Sequence, residues 1–120
     1  MITKLNLSDK FDLFADHWSP KIAADLNDNH VLLAKLQGEF VWHKHADEDE
    51  LFMVIRGTLT IELRDGSITL EPGELAVIPK GVEHRPVALE EVHLMLIEPK
   101  KTRHTGDVIS ARTVHEYARI

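Results

Sequence analysis

Thr58-Leu59-Thr60-Ile61-Glu62-Leu63-Arg64-Asp65-Gly66-Ser67-Ile68-Thr69-Leu70 is the stretch that decides the fold. From Thr58 to Leu63 polar and apolar side chains alternate, the period-two pattern of a half-buried strand. Arg64-Asp65-Gly66-Ser67 contains an Asp-Gly pair, the strongest short hairpin signal, and Ile68 to Leu70 supplies the returning strand. Working outward, Val31 to Leu36 is an apolar run that stops at Gly38. Phe40 to His45 sets Phe40, Trp42 and Lys44 against Val41, His43 and His45, and Glu50 to Arg56 ends at Gly57. Glu71-Pro72-Gly73-Glu74 makes a further turn, followed by Leu75 to Ile78, Arg85 to Leu89 and Val92 to Glu98. Short strands with Gly and Pro punctuation predict an all-β sandwich or barrel.

The ends read differently. Ser8 is placed to cap a short helix through Asp16, with Phe11, Leu13 and Phe14 as its apolar contacts and Pro20 as its stop. Lys21 to Leu26 fits either a strand or a brief helix. Lys100 to Asp107 is polar and reads as loop, and Thr113 is placed to cap a last helical turn through Arg119. The expected organisation is an N-terminal extension over 1–30 packing on the barrel or a partner subunit, a barrel core over 31–98, and a C-terminal loop and short helix over 99–120.

A chain of 120 residues fits one domain. At 43% hydrophobic and 28% charged it has the composition of a globular protein. No apolar run approaches the ~20 residues of a membrane span, and Met1 to Lys10 lacks the apolar stretch of a signal peptide. The expectation is a cytoplasmic protein without a membrane partner. Asp and Glu outnumber Lys and Arg by 20 to 14, a net charge of −6 that repels phosphate backbones, so no nucleic-acid partner is expected. The chain has no cysteine, which excludes disulfides, thiolate zinc sites and a cysteine nucleophile. A metal site would have to draw on carboxylates and on the eight histidines.

Four residues answer that description. His43 and His45 lie two apart on a strand pattern, so their side chains share a face. Glu50 opens the next strand and can reach back across a short acidic connection, and His84 follows the Pro79-Lys80-Gly81 turn. Three imidazoles and a carboxylate offer nitrogen and oxygen donors without soft sulfur, a set suited to a divalent transition ion. An octahedral ion on these four would keep two positions open for water, substrate or dioxygen, as catalytic sites do. The expected cofactor is one such ion per chain, with Zn, Fe, Mn, Ni and Co all compatible.

The spacing resembles the cupin family. Gly38, His43, His45, Glu50 and Gly57 are similar to its first signature, and Gly73, Pro79, Gly81 and His84 to its second. The resemblance spans Val31 to Glu98. It departs at two places: four residues separate Gly38 from His43 where five are usual, and Ala88 stands where the second signature ends in Asn. The resemblance implies a double-stranded β-helix (a jelly-roll barrel), with metal on His43, His45, Glu50 and His84. Small single-domain cupins of this type carry the label mannose-6-phosphate-isomerase-like, which reflects fold and not reaction. The implied function is a metal-dependent enzyme acting on a small organic molecule, of oxygenase or isomerase type. The alternative is a non-catalytic module that binds or senses a sugar-like ligand.

Other residues carry weaker signals. His93 shares a strand face with Met95 and Ile97, opposite Val92, Leu94 and Leu96, and both faces are apolar. Facing the pocket, His93 would be the candidate catalytic acid or base, because imidazole titrates near neutrality; facing out, it packs or meets a second subunit. Asp47, Glu48 and Asp49 read as a solvated turn, and Glu39 as a turn position. Phe52 and Val54 share the face of Glu50 and should form apolar pocket wall, whereas Trp42 lies opposite His43 and His45. His17, His30, His104 and His115 read as surface residues. A homodimer is expected, with Lys21 to Leu26 adding a strand to a partner's sheet edge.

Overall fold

The alternation of Thr58 to Leu70 becomes a tight hairpin in a computed structural model that describes all 120 residues. Strands β4 (Leu59–Leu63) and β5 (Gly66–Leu70) pair antiparallel from Leu59–Leu70 to Leu63–Gly66, leaving Arg64 and Asp65 as the turn. Before them come helix α1 (Leu7–Phe11) and strands β1 (Lys21–Leu26), β2 (Asn29–Glu39) and β3 (Glu50–Arg56); after them come β6 (Leu75–Ile78), β7 (His84–Pro99) and β8 (Ala118–Arg119). The architecture is the all-β jelly-roll barrel that the turn-punctuated strands predict.

Strand β7 is its spine. Its first half pairs with β4 through Thr60–Val87 to Leu63–His84, and its second half pairs with β3 through Leu51–Ile97 to Arg56–His93. β2 runs antiparallel along its other edge from Asn29–Pro99 to Glu39–Val87, with a bulge between Leu36 and Gly38. Gly38 adopts φ +89, a backbone conformation that side chains with a Cβ resist. Alternate residues of these strands point inward, so Leu32, Ala34, Leu36, Val54, Leu59, Ile61, Val92, Leu94 and Leu96 form one buried core. A smaller cluster of Phe11, Ala23 and Leu33 packs α1 against the outside of the sheet.

Five local readings change. The two expected strands Arg85 to Leu89 and Val92 to Glu98 are one strand of 16 residues, because the exposed run Leu89-Glu90-Glu91 continues the extended backbone. Phe40 to His45 forms no ladder; the chain touches β7 only at the Phe40 N–H to Pro86 carbonyl bond and at a His43–His84 bridge. α1 is capped by Asn6, whose Oδ1 accepts from the Asp9 N–H, and it ends at Phe11. Lys21 to Leu26 is a strand, and Ala118–Arg119 pairs parallel to it where a helical turn was expected. His104, read as a surface residue, is buried along with Thr102 and Thr105 in the closing segment. No helix is long and apolar enough to cross a membrane.

Candidate metal centre

The His43–His84 bridge assembles the site. Reciprocal backbone bonds, His43 N–H to the His84 carbonyl at 3.0 Å and the reverse at 2.9 Å, bring the two ring centroids to 4.3 Å. Each ring turns its Nδ1 to a carbonyl two residues back, Val41 for His43 and Val82 for His84, both at 2.9 Å. A carbonyl only accepts, so Nδ1 carries the proton and Nε2 presents its lone pair, the tautomer that a metal ligand needs. Glu50, the first residue of β3, reaches the same point: its Oε1 lies 3.2 Å from His45 Nε2 and 3.9 Å from His84 Nε2.

One donor atom from each of His43, His45, Glu50 and His84 lies within 4.8 Å of all the others. Ligands at about 2.1 Å from a six-coordinate ion stand about 3 Å apart when adjacent and about 4.2 Å when opposite. All four residues are buried, and His45 Nε2, Glu50 Oε1 and His84 Nε2 make no hydrogen bond. Buried polar atoms are nearly always partnered, so three orphaned donors turned toward one centre fit a divalent cation. The cluster could hold a metal ion.

Electrostatics point the same way. Burial, and after it the neighbouring His84 ring, pushes His43 down to about 3. Burial also lowers His45 and His84. The rings are therefore neutral at neutral pH, ready to coordinate without losing a proton. Burial raises Glu50. Next to Glu50, one residue beyond the Leu51–Ile97 pair that ends the β3–β7 register, stands Glu98, which the sequence pattern did not assign to the site. It is 1% exposed, neither carboxylate oxygen has a hydrogen-bond partner, and burial followed by the Glu50 charge holds its carboxyl well above the usual range. Two neighbouring buried carboxylates need a shared proton or a cation between them. Its signal was parity: Leu94, Leu96 and Glu98 occupy the same inward face.

The closing segment fastens over the ligand loop. Lys44, between two of the four residues, donates its N–H to Asp107 Oδ1 at 3.1 Å and accepts from the Asp107 N–H at 3.0 Å. Gly106 adopts φ +59 so close to this loop that a Cβ there would overlap the Lys44 carbonyl oxygen. His104 accepts from the Val114 N–H at Nε2 (2.8 Å), and its own N–H donates to the Tyr117 hydroxyl. Burial pushes His104 down to about 4.

The remaining expectations sort by position. His93 lies on the outer face, stacked on Phe11 at 4.5 Å and 3.2 Å from Glu91 Oε1, and the structure does not bring it to the cluster. Asp47 and Asp49 are exposed and Glu48 is half-buried; Asp49 Oδ1 accepts from the Lys80 N–H, tying the turn that leads to His84. Glu39 pairs with Arg85 at 3.2 Å on the surface. Phe52 lines the cavity beside Glu50 as expected, whereas Val54 is buried in the barrel core and does not reach it, and Trp42 lies under the Arg64 guanidinium at 3.8 Å. His17 and His115 are exposed, and His30 is half-buried beside Asp25.

A barrel of this topology carrying three histidines and a glutamate at its inner wall defines a cupin, and comparison with known proteins agrees. The family model described as cupin domain matches residues 29–100, and the chain belongs to that family. It is 57% identical to a cupin-2 domain containing protein from Shewanella frigidimarina, whose crystal structure superposes with a TM-score of 0.79 over 80% of this chain and 94% of that one. Protein NMB1881 from Neisseria meningitidis is 32% identical, with a TM-score of 0.75 over 82% of this chain and 100% of that one. The Bacillus subtilis (strain 168) protein YdbB is 37% identical over 79 residues, 65% of this chain and 70% of its own length.

Proposed function

We propose that the protein is a metal-dependent enzyme acting on a small organic molecule by oxygenation or isomerisation, with one divalent transition ion per chain on His43, His45, Glu50 and His84. The observation that carries this reading is the convergence of four buried donor atoms, three of them without a hydrogen-bond partner. A bound ion of this kind supplies a Lewis acid that polarises a substrate oxygen, or a centre for oxygen chemistry. The chain does the rest: Val41 and Val82 fix the ring tautomers, Glu50 contributes the negative charge, and the apolar wall around Phe52 excludes water. Metal analysis of protein purified without a histidine tag, beside His45→Ala, tests it. Wild type should carry about one ion per chain and the variant far less; equal contents would contradict the reading.

One observation favours a non-catalytic small-molecule binding or sensing module. Apart from the cluster itself, the cavity wall offers a single titratable side chain, His104, and its Nε2 is already engaged. A ligand that raises the melting temperature and is recovered unchanged under both air and nitrogen would support the module; turnover would exclude it. We also infer a homodimer. Leu75 and Val77 are exposed on β6, which pairs only with β3, and such an apolar edge favours burial. Light scattering should give twice the 13.7 kDa chain mass, and a value at the chain mass would contradict a dimer.

A further inference from the structure

Beside the cluster lies a cavity whose wall is almost wholly carbon. His43 and Glu50 border it, Leu36, Phe52, Leu94 and Leu96 line it from the barrel strands, and Trp18 and His104 complete it from outside them. Trp18 stacks on Phe40 with centroids 4.6 Å apart and planes 9° apart, and the His104 ring lies 5.4 Å from Phe40. The polar atoms of these rings are already occupied. The Trp18 indole N–H donates to the Gln37 carbonyl at 2.9 Å, His104 Nε2 accepts from the Val114 N–H, and His43 Nδ1 donates to the Val41 carbonyl. What is left facing the cavity is His43 Nε2 and the Glu50 carboxylate, the atoms that a metal would take.

A sugar needs a partner for nearly every hydroxyl, and this wall supplies none once the metal is in place. The space is also compact, about 30 Å³ for the centre of a water-sized sphere. Resting on the reading that the cluster holds a metal ion, we propose that the ligand of this site is a compact, mainly hydrocarbon molecule with a single oxygen donor at one end, of the phenol class, and not a sugar. The oxygen meets the metal position between His43 and Glu50, and the hydrocarbon body lies against Phe52, Leu94 and Leu96.

Calorimetry on the full chain loaded with zinc, which is redox-inert, tests this with phenol, 4-methylphenol and glucose as probes. Phenol should bind, the added methyl should tighten binding roughly fourfold as buried carbon does, and glucose should give no binding heat. Ala34→Leu narrows the cavity and should abolish phenol binding at unchanged zinc content. Should that variant fail to fold, wild-type protein still decides: bound phenol should show nuclear Overhauser contacts to the Leu94 and Leu96 methyls. Glucose binding as tightly as phenol, phenol contacts elsewhere, or no phenol binding by zinc-loaded protein would overturn the proposal. Failure to take up zinc would instead overturn the metal reading. Phenol contacts in zinc-free protein would then decide the wall chemistry separately: contacts to Leu94 and Leu96 support it, and their absence overturns it.

Discussion

Replacing His104 with Gln should flatten the acid sensitivity of the metal-free protein by a calculable amount. His104 is 6% exposed and held at about 4, against 6.5 for a free imidazole. Because the folded value lies below the unfolded one, the unfolded chain takes up a proton as pH falls through 6.5 while the folded chain stays neutral. Stability is therefore full above the unfolded value and is lost as pH falls from there toward about 4. Integrated between about pH 7 and about pH 5.5, the loss attributable to this ring is on the order of 1 kcal/mol. Gln keeps an acceptor within reach of the Val114 N–H and removes the proton site, and contributions from His43, Glu50 and Glu98 cancel between the two proteins. Urea unfolding of chelator-treated wild type and His104→Gln at both pH values reads the difference. At roughly 1–3 kcal/mol per molar urea, wild type should lose about half a molar to one molar more of its midpoint than the variant. Equal losses would refute the burial of His104 and with it the closed position of the C-terminal segment.

Gly106→Ala should destabilise the protein by about 2 kcal/mol or more, since φ +59 is strained for alanine and its Cβ meets the Lys44 carbonyl. Urea unfolding reads that loss, and a metal titration should show weakened affinity as the loop between His43 and His45 is pushed away. Glu50→Gln should act in opposite directions on the two states. The folded pKa of Glu50 is raised above its unfolded 4.5, so its ionised form costs stability as pH rises through that range. In chelator at about pH 8 the variant should melt higher than wild type, while its metal affinity falls by more than roughly a hundredfold, beyond the loss typical of outer-shell changes. Metal at about 100 times its dissociation constant should stabilise wild type by about 2.7 kcal/mol, roughly 8–12 °C in melting temperature, reversed by chelator.

What the sequence disclosed was what short-range pattern controls. The β4–β5 hairpin is written in alternation and an Asp-Gly turn, and the four cluster residues in fixed spacing along chain segments that strands hold rigid. β7 was not legible as one strand, because Leu89-Glu90-Glu91 carries the polarity of a turn while its backbone stays extended. The side occupied by His93 depended on Phe11, a contact across 82 positions that no local period encodes. Glu98 needed the β3–β7 register before it could be set next to Glu50. His104 needed the whole closing segment, whose burial comes from Gly106, Asp107 and Tyr117 meeting the barrel rather than from any apolar stripe. Polar residues buried by tertiary closure leave little trace in periodicity.

Anomalous X-ray scattering from crystals of protein never exposed to chelator, collected above and below the edges of the candidate metals, tests the metal centre most directly. The expected result is one peak per chain, enclosed by His43 Nε2, His45 Nε2, Glu50 Oε1 and His84 Nε2, and missing in His84→Ala crystals. Electron density for water alone at that point, after the same crystals have been soaked in divalent transition metal, would contradict it.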